Sequence, residues 1–273
     1  VPLIKADDAP LADVDVVFSC LPHAASADLC KRVIDAGKRV VDLSADFRLR
    51  DAALYEKTYK HHHAYPELLE TAVYGLPELY RPDIVDAQIV ANPGCYPTTV
   101  ALGAMPLIEL GALADPILIA DSKSGVSGAG RKPAQNTHFV EVNESLNPYG
   151  VGNVHRHVPE MNQTLNSIVS RGPGPSDARP YKVIFTPQLL PISRGMLTML
   201  YVTLTDAAAR EDWQAIFAKR YEGEPFVRVL PKGQVATIAH TTHTNYAVLS
   251  VHPIADAPNR LLIVSCLDNL IKG

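Results

Sequence analysis

Cys95 is the residue whose surroundings most suggest chemistry. It sits in Asn92-Pro93-Gly94-Cys95-Tyr96-Pro97-Thr98, directly after the strand-like run Ala87-Gln88-Ile89-Val90-Ala91. Gly94 permits a tight backbone turn. Pro97 suits the first turn of a helix, where its missing N–H costs nothing. The pattern therefore places the thiol at a helix N-terminus, with the helix continuing through Thr98–Leu110 to Gly111. Such a position favours a thiolate through the helix dipole and the unpaired N–H groups. A thiolate attacks carbonyl carbon, and the same N–H groups can hold the oxyanion that forms. The competing reading is a buried structural thiol. It fits Cys30, inside a helical stretch, and Cys266, inside a strand; Cys20 ends a strand.

A cysteine nucleophile needs a proton-transfer partner. Of ten histidines, His61-His62-His63 reads as a solvated surface run, and His240 and His243 lie in a Thr-rich stretch. Val154-His155-Arg156-His157-Val158-Pro159-Glu160 is denser, with two imidazoles, a guanidinium and a carboxylate in one short segment. In an extended chain His155 and His157 share one face and Arg156 points away. Pro159 then opens a helix, with Glu160 in its first turn. A surface histidine pair is the plain alternative. A metal site is a weaker one, because no further spaced ligand accompanies the pair.

The other dense motif is Ser124-Gly125-Val126-Ser127-Gly128-Ala129-Gly130-Arg131. Its glycines and serines suit a flexible backbone cradle for phosphate, with Arg131 as a bidentate partner. It lacks P-loop spacing, and many glycine-rich segments are only turns.

The elements that must position these groups follow a simple order. Val14–Ser19 is a strand, Ala24–Ala36 a helix stopped by Gly37, and Arg39–Ser44 a second strand. This βαβ order predicts a parallel sheet with ligands at the strands' carboxyl ends. Beyond the Cys95 helix, strands are expected over Pro116–Asp121, Tyr181–Thr186, Leu197–Thr205, Tyr246–His252 and Arg260–Cys266, with a helix over Arg210–Tyr221. They do not alternate regularly with helices, so an α+β arrangement around an antiparallel or mixed sheet is expected. Arg171–Asp177 reads as a loop or small insertion.

Bulk properties exclude several classes. The 273 residues, 47% hydrophobic and 20% charged, suit a globular protein of one large or two ordinary domains. A net charge of −4 without a basic block argues against nucleic-acid binding. No apolar run reaches the roughly 18 residues that span a bilayer. Four scattered cysteines read as thiols of a reducing compartment, with the cytoplasm as default. The start, Val1-Pro2-Leu3, lacks Met and a signal peptide, and reads as the inside of a longer protein.

Together these segments resemble the N-acetyl-γ-glutamyl-phosphate reductases of arginine biosynthesis. The resemblance is carried in order by Asp42-Leu43-Ser44-Ala45-Asp46-Phe47-Arg48, Tyr65-Pro66-Glu67, Tyr74-Gly75-Leu76-Pro77-Glu78, the Cys95 motif, Ser124–Arg131, Pro148-Tyr149-Gly150, His155–Glu160, Phe185-Thr186-Pro187, Arg194-Gly195 and Asp268–Gly273. It implies an α/β chain: an incomplete Rossmann-type NADP domain over residues 1–94, with a return segment at 253–273, and an α+β catalytic and oligomerisation domain of the glyceraldehyde-3-phosphate-dehydrogenase-like type over 95–252. It implies Cys95 as nucleophile, His157 or His155 as acid/base, and Arg48, Tyr149, Arg131 and Glu160 as substrate-binding residues. Leu21, Pro22, Ser44, Ser127, Gly128 and Asn269 would hold NADP. The implied partners are a small acyl-phosphate substrate, phosphate, and further copies in a homodimer or homotetramer, with no nucleic acid, membrane or metal. The family's opening glycine-rich pyrophosphate loop is not in the sequence, and the family continues past Gly273. Two alternatives stay open: a semialdehyde dehydrogenase for another acid, and a non-catalytic binding or assembly fragment.

Overall fold

A computed structural model describes residues 3–171 and 179–273. The expected insertion at 171–177 therefore lies almost wholly outside the described residues. The chain forms two compact units, Val1–Gly94 and Cys95–Gly273.

In the first unit, β1 (Val16–Ser19), β2 (Arg39–Asp42), β3 (Val73–Tyr74) and β4 (Ile89–Ala91) make a sheet in the order β1-β2-β4-β3, with all pairings parallel. Helices α1 (Ser26–Asp35), α2 (Ala52–Tyr59) and α3 (Pro77–Asp86) connect the strands. Ala27, Cys30 and Val33 of α1 pack with Val40, Ile89 and Ala91 of the sheet. This is the βαβ packing that the sequence order predicts. The start of α1 is held by Asp46, whose carboxylate accepts from Ala24 N (2.8 Å) and Ala27 N (3.1 Å). The triple-histidine run is not wholly solvated. His63 is buried, with its Nε2 bonded to Asp46 O at 2.9 Å and its ring edge-on to Phe47 and Tyr55. Burial lowers its pKa.

The second unit opens with α4 (Cys95–Glu109), which starts at the cysteine itself. Every residue from Tyr96 to Ile108 is buried, so this helix is apolar on all sides, as a core helix must be. After it come β5 (Ile117–Gly125), α5 (Phe139–Val142), β6 (Asn147–Pro148), α6 (Val158–Arg171), β7 (Lys182–Leu190), β8 (Met196–Thr203), α7 (Trp213–Arg220), β9 (Val227–Val229), β10 (Ala247–Ile254) and β11 (Ala257–Leu267). The strands form one mixed sheet in the order β6-β7-β5-β8-β11-β10-β9. Residues alternate along it: Leu118, Ala120, Val183, Phe185 and Leu200 are buried on the helix side, while Ile117, Ile119, Ile184 and Tyr201 are exposed on the other.

The expected return of 253–273 to the first domain does not occur through its strand. β11 pairs antiparallel with both β8 and β10, from Arg260 to Leu267 and from Ala257 to Cys266. The hairpin with β10 is a local connection, and it keeps the strand in the second sheet.

Candidate active site

The start of α4 is anchored from beneath. Thr99 Oγ1 donates to Tyr96 O (2.8 Å) and shares a hydrogen bond with Thr198 Oγ1 (2.7 Å), which in turn meets Ser122 Oγ at 2.8 Å. All three side chains are buried. This hydroxyl chain ties the cysteine's turn to β8 and β5, and buried hydroxyls left unpaired would be costly.

Cys95 is half-buried and opens into a cavity of about 500 Å³. His155, His157, Tyr96 and Tyr149 line the same cavity. The aromatic rings form one cluster. His155 lies edge-on to His157 (4.9 Å between centroids), Tyr149 (5.5 Å), Tyr96 (5.8 Å) and Phe185 (5.3 Å). Tyr96 and Tyr149 join hydroxyl to hydroxyl at 2.9 Å. Burial pushes the Tyr96 hydroxyl far up and that of Tyr149 up to about 12, so both stay protonated.

The two histidines differ. Burial first, then the Arg156 charge, push the His155 imidazolium down to about 4. The backbone N–H of His157 donates to His155 Nδ1 at 3.1 Å. That nitrogen must therefore be unprotonated, and the neutral ring carries its proton on Nε2. His155 is a fixed hydrogen-bond donor at neutral pH. His157 is buried at the threshold of α6, where its carbonyl accepts from Met161 N at 2.9 Å. Glu160, fully buried in the first turn of that helix, stands three residues on, at helical spacing from His157. Among the described residues, no group of three or more His, Cys, Asp or Glu is placed to hold a metal ion.

Several expected positions are corrected. The histidine segment is a turn and not an extended strand, and Arg156, although exposed, is among the residues that line the same cavity. Arg131 is exposed and outside the cavity lining, which contains its neighbour Lys132 instead. The glycine segment is not a flexible cradle. Gly125, Val126 and Ser127 donate their N–H groups to the carbonyls of Gly195, Ile192 and Ser193 at 2.9, 2.9 and 3.2 Å. Gly125 is needed for that close approach, since a Cβ there would lie 2.7 Å from Arg194 backbone. Gly128 does line the cavity, and a Cβ on it would meet Ser124 Oγ at 2.5 Å. Asn269 clamps this loop: its Nδ2 donates to Ser127 Oγ (3.0 Å) and its Oδ1 accepts from Gly195 N (2.8 Å).

In the first unit, Arg48 is held by its own backbone surroundings, with Nε to Asn92 O (2.7 Å) and Nη2 to Leu43 O (3.0 Å). Ser44 is buried and donates to Asp42 Oδ2 at 2.7 Å. Burial raises the Asp42 pKa. Leu21 and Pro22 are exposed beyond the carboxyl end of β1, where a parallel sheet receives ligands.

The semialdehyde dehydrogenase dimerisation domain matches residues 95–269, and the semialdehyde dehydrogenase NAD-binding domain matches residues 1–87. The N-acetyl-gamma-glutamyl-phosphate reductase of Geobacter metallireducens is 46% identical over 259 residues, which is 95% of this chain and 72% of that protein. The reductase of the same name from Symbiobacterium thermophilum is 45% identical over 269 residues, 98% of this chain and 75% of that one. The chain belongs to the N-acetyl-γ-glutamyl-phosphate reductase family. It is an oxidoreductase of the semialdehyde dehydrogenase class.

The fold is the one seen in aspartate semialdehyde dehydrogenase II from Vibrio cholerae, with a TM-score of 0.71 at 15% identity, covering 98% of this chain and 78% of that one. The aspartate semialdehyde dehydrogenase from Francisella tularensis gives 0.68 at 14%, covering 98% and 80%. A nicotinamide cofactor follows from the matched NAD-binding domain. The residues present fit one end of such a group: Gly128 lines the same cavity as Cys95 without a side chain of its own, and Asn269 holds the loop that carries it through Ser127. No helix among the described residues is long and apolar enough to cross a membrane.

Sequence reasoning missed Lys132 and gave no separate role to Tyr96. Lys132 follows Arg131 directly in the sequence, and only the fold shows which of these two exposed residues lines the cavity.

Proposed function

We propose that this chain catalyses the reductive dephosphorylation of N-acetyl-γ-glutamyl phosphate to N-acetylglutamate 5-semialdehyde, with NADPH as reductant, in arginine biosynthesis. The observation that carries this reading is the shared cavity of Cys95, His155 and His157, with two cationic side chains, Lys132 and Arg156, in its lining. A nucleophile, a proton carrier, a neutral donor and an anion site are the parts this reaction needs.

His157 takes the Cys95 proton, and the thiolate sulfur bonds the acyl carbon. The C–O bond to phosphate breaks, and the departing oxygen takes the proton from His157. Lys132 and Arg156 face the phosphate's charge. The nicotinamide, when bound, supplies the hydride. As the thioester carbon is reduced, its oxygen becomes negative, and the Nε2–H of His155 donates to it. The C–S bond then breaks, releasing the aldehyde and the thiolate, and a proton taken up from water restores the Cys95 thiol. Tyr149 and Glu160 shape the substrate side. Leu21, Pro22, Ser127, Gly128 and Asn269 are the cofactor-binding residues in this reading. Arg48 and Ser44 act through the loops they brace.

Two further elements belong to the reading. Copies pair through the outer face of the seven-stranded sheet, where Ile119 lies directly beside Ile184 on β7 and Tyr201 on β8, all exposed. The protein works in the cytoplasm, where a reducing medium keeps Cys95 a thiol.

The test is NADP⁺ reduction by N-acetylglutamate semialdehyde, with and without phosphate, beside NAD⁺ and aspartate semialdehyde as competitors. Phosphate-dependent reduction that prefers NADP⁺ and is lost in Cys95→Ser supports the reading. Preference for aspartate semialdehyde overturns the substrate, and preference for NAD⁺ overturns the cofactor.

A further inference from the structure

β7 is bonded along one side to β5 throughout, but on its other side β6 reaches only Leu189 and Gln188. Among the described residues, the backbone groups of Tyr181, Val183 and Phe185 on that side have no neighbouring strand. Three asparagine side chains take its place. Asn166 accepts from Tyr181 N (2.8 Å) and donates to Tyr181 O (2.9 Å). Asn162 accepts from Val183 N at 2.9 Å. Asn153 donates to Val183 O and accepts from Phe185 N, both at 2.7 Å. An amide is suited to this because it offers a donor and an acceptor on one rigid plane, as a peptide does.

Asn162 and Asn166 belong to α6, but Asn153 belongs to the turn that carries the histidines. It stands two residues before His155, with a left-handed backbone (φ 63°) that asparagine tolerates and most residues do not. Its two bonds fix the turn to the strand at the point where Phe185 packs edge-on against His155 at 5.3 Å. Gly150, also left-handed (φ 55°), leaves so little room that a Cβ would lie 3.1 Å from His155 Cβ. The imidazole thus packs against Phe185 of the strand to which its turn is bonded, and against a glycine that just clears it.

We propose that Asn153 is a positioning residue for the reaction, setting the place of His155 and His157 by docking their turn onto the edge of β7. This rests on the catalytic reading of the two histidines. The change Asn153→Asp would turn a carboxylate oxygen toward the Val183 carbonyl, acceptor against acceptor, and could not substitute. The change Asn153→Gly would keep the left-handed backbone but lose both bonds.

The controls lie in the same row. Asn166→Ala removes two bonds from the same strand edge without touching the histidine turn. Asn153→Ala and Asn153→Gly remove two bonds that hold it, the latter without backbone strain. The first readout is the His155 titration and its ¹⁵N tautomer signature by NMR. The second is kcat in the phosphate-dependent assay. In Asn153→Gly and Asn153→Ala the His155 midpoint should climb from near 4 toward its ordinary value as the ring gains access to water. In the same variants kcat should fall about tenfold or more, as a displaced catalytic group predicts. Asn166→Ala should lower the melting temperature and leave both readouts where they were. An unchanged His155 titration in the Asn153 variants, or an equal change in Asn166→Ala, would reduce Asn153 to an edge cap and overturn the proposal. Were the unaltered chain inactive, the functional reading would fail, while the titration would still decide whether Asn153 sets the ring.

Discussion

Tyr96 and Tyr149 meet hydroxyl to hydroxyl at 2.9 Å, one residue from the nucleophile and beside both histidines. Burial keeps both phenols neutral, so the pair presents a donor and an acceptor to the cavity rather than a charge. Tyr149→Phe removes a partner from a buried hydroxyl and should cost about 1–2 kcal/mol of stability. It should raise KM for the acyl substrate more than it lowers kcat, since Tyr149 lines the cavity without facing a bond that breaks. Steady-state kinetics beside urea denaturation check this. A kcat loss as large as that of Cys95→Ser would give Tyr149 a part in the chemistry itself.

His155 makes acid stability a readout of the site. Its folded pKa is near 4 and its ordinary value is 6.5, so the unfolded chain binds a proton that the folded chain refuses. The stabilisation is therefore complete above pH 6.5 and is lost as pH falls toward 4, by roughly 2–3 kcal/mol from this group. His63 and His252, also lowered by burial, add to the same slope. Denaturant unfolding at pH 7.5 and pH 4.5 should show a smaller difference in His155→Gln than in the unaltered protein. Equal differences would mean that His155 titrates normally.

Much of this was legible in the residues. The Gly-Cys-x-Pro context marked a helix start, and α4 does begin at Cys95. The βαβ order of the first unit and the mixed sheet of the second follow from local patterns. What escaped depends on pairing between distant segments. Ser124–Gly130 looks like a loose phosphate loop because nothing local says that its N–H groups meet the carbonyls of residues 192–195. His63 looks solvated in a run of three histidines, and is buried because Asp46, Phe47 and Tyr55 close over it. The last strand could have returned to the first sheet by its composition alone; its hairpin with β10 keeps it in the second.

The two cations of the cavity separate by their effects. Arg156→Ala should raise KM for phosphate in the oxidative direction about tenfold, and it should also raise the His155 midpoint, because the Arg156 charge helps to depress it. Lys132→Ala should raise KM for phosphate without moving that titration. Arg131→Ala, exposed and outside the lining, should change neither. Phosphate kinetics and histidine NMR on the three variants check the assignment. A larger phosphate defect in Arg131→Ala than in Lys132→Ala would return the anion site to Arg131.

The exposed sheet face offers a separate test. Ile119 and Ile184 are paired neighbours with exposures of 44% and 49%. Changing both to Asp places two charges where an apolar interface would close, and the buried charges would be costly. Sedimentation should move from dimer to monomer while far-ultraviolet circular dichroism stays unchanged. A double variant that sediments like the unaltered protein would place the interface elsewhere.

The most direct measurement leaves out the reductant. The protein is mixed with N-acetyl-γ-glutamyl phosphate generated in place, without NADPH, quenched in acid and analysed by peptide mass spectrometry beside a phosphate assay. The account predicts a burst of phosphate stoichiometric with protein and an N-acetylglutamyl thioester on the peptide that contains Cys95, both absent in Cys95→Ser. Phosphate release without an acylated Cys95, or acylation of another residue, would contradict it.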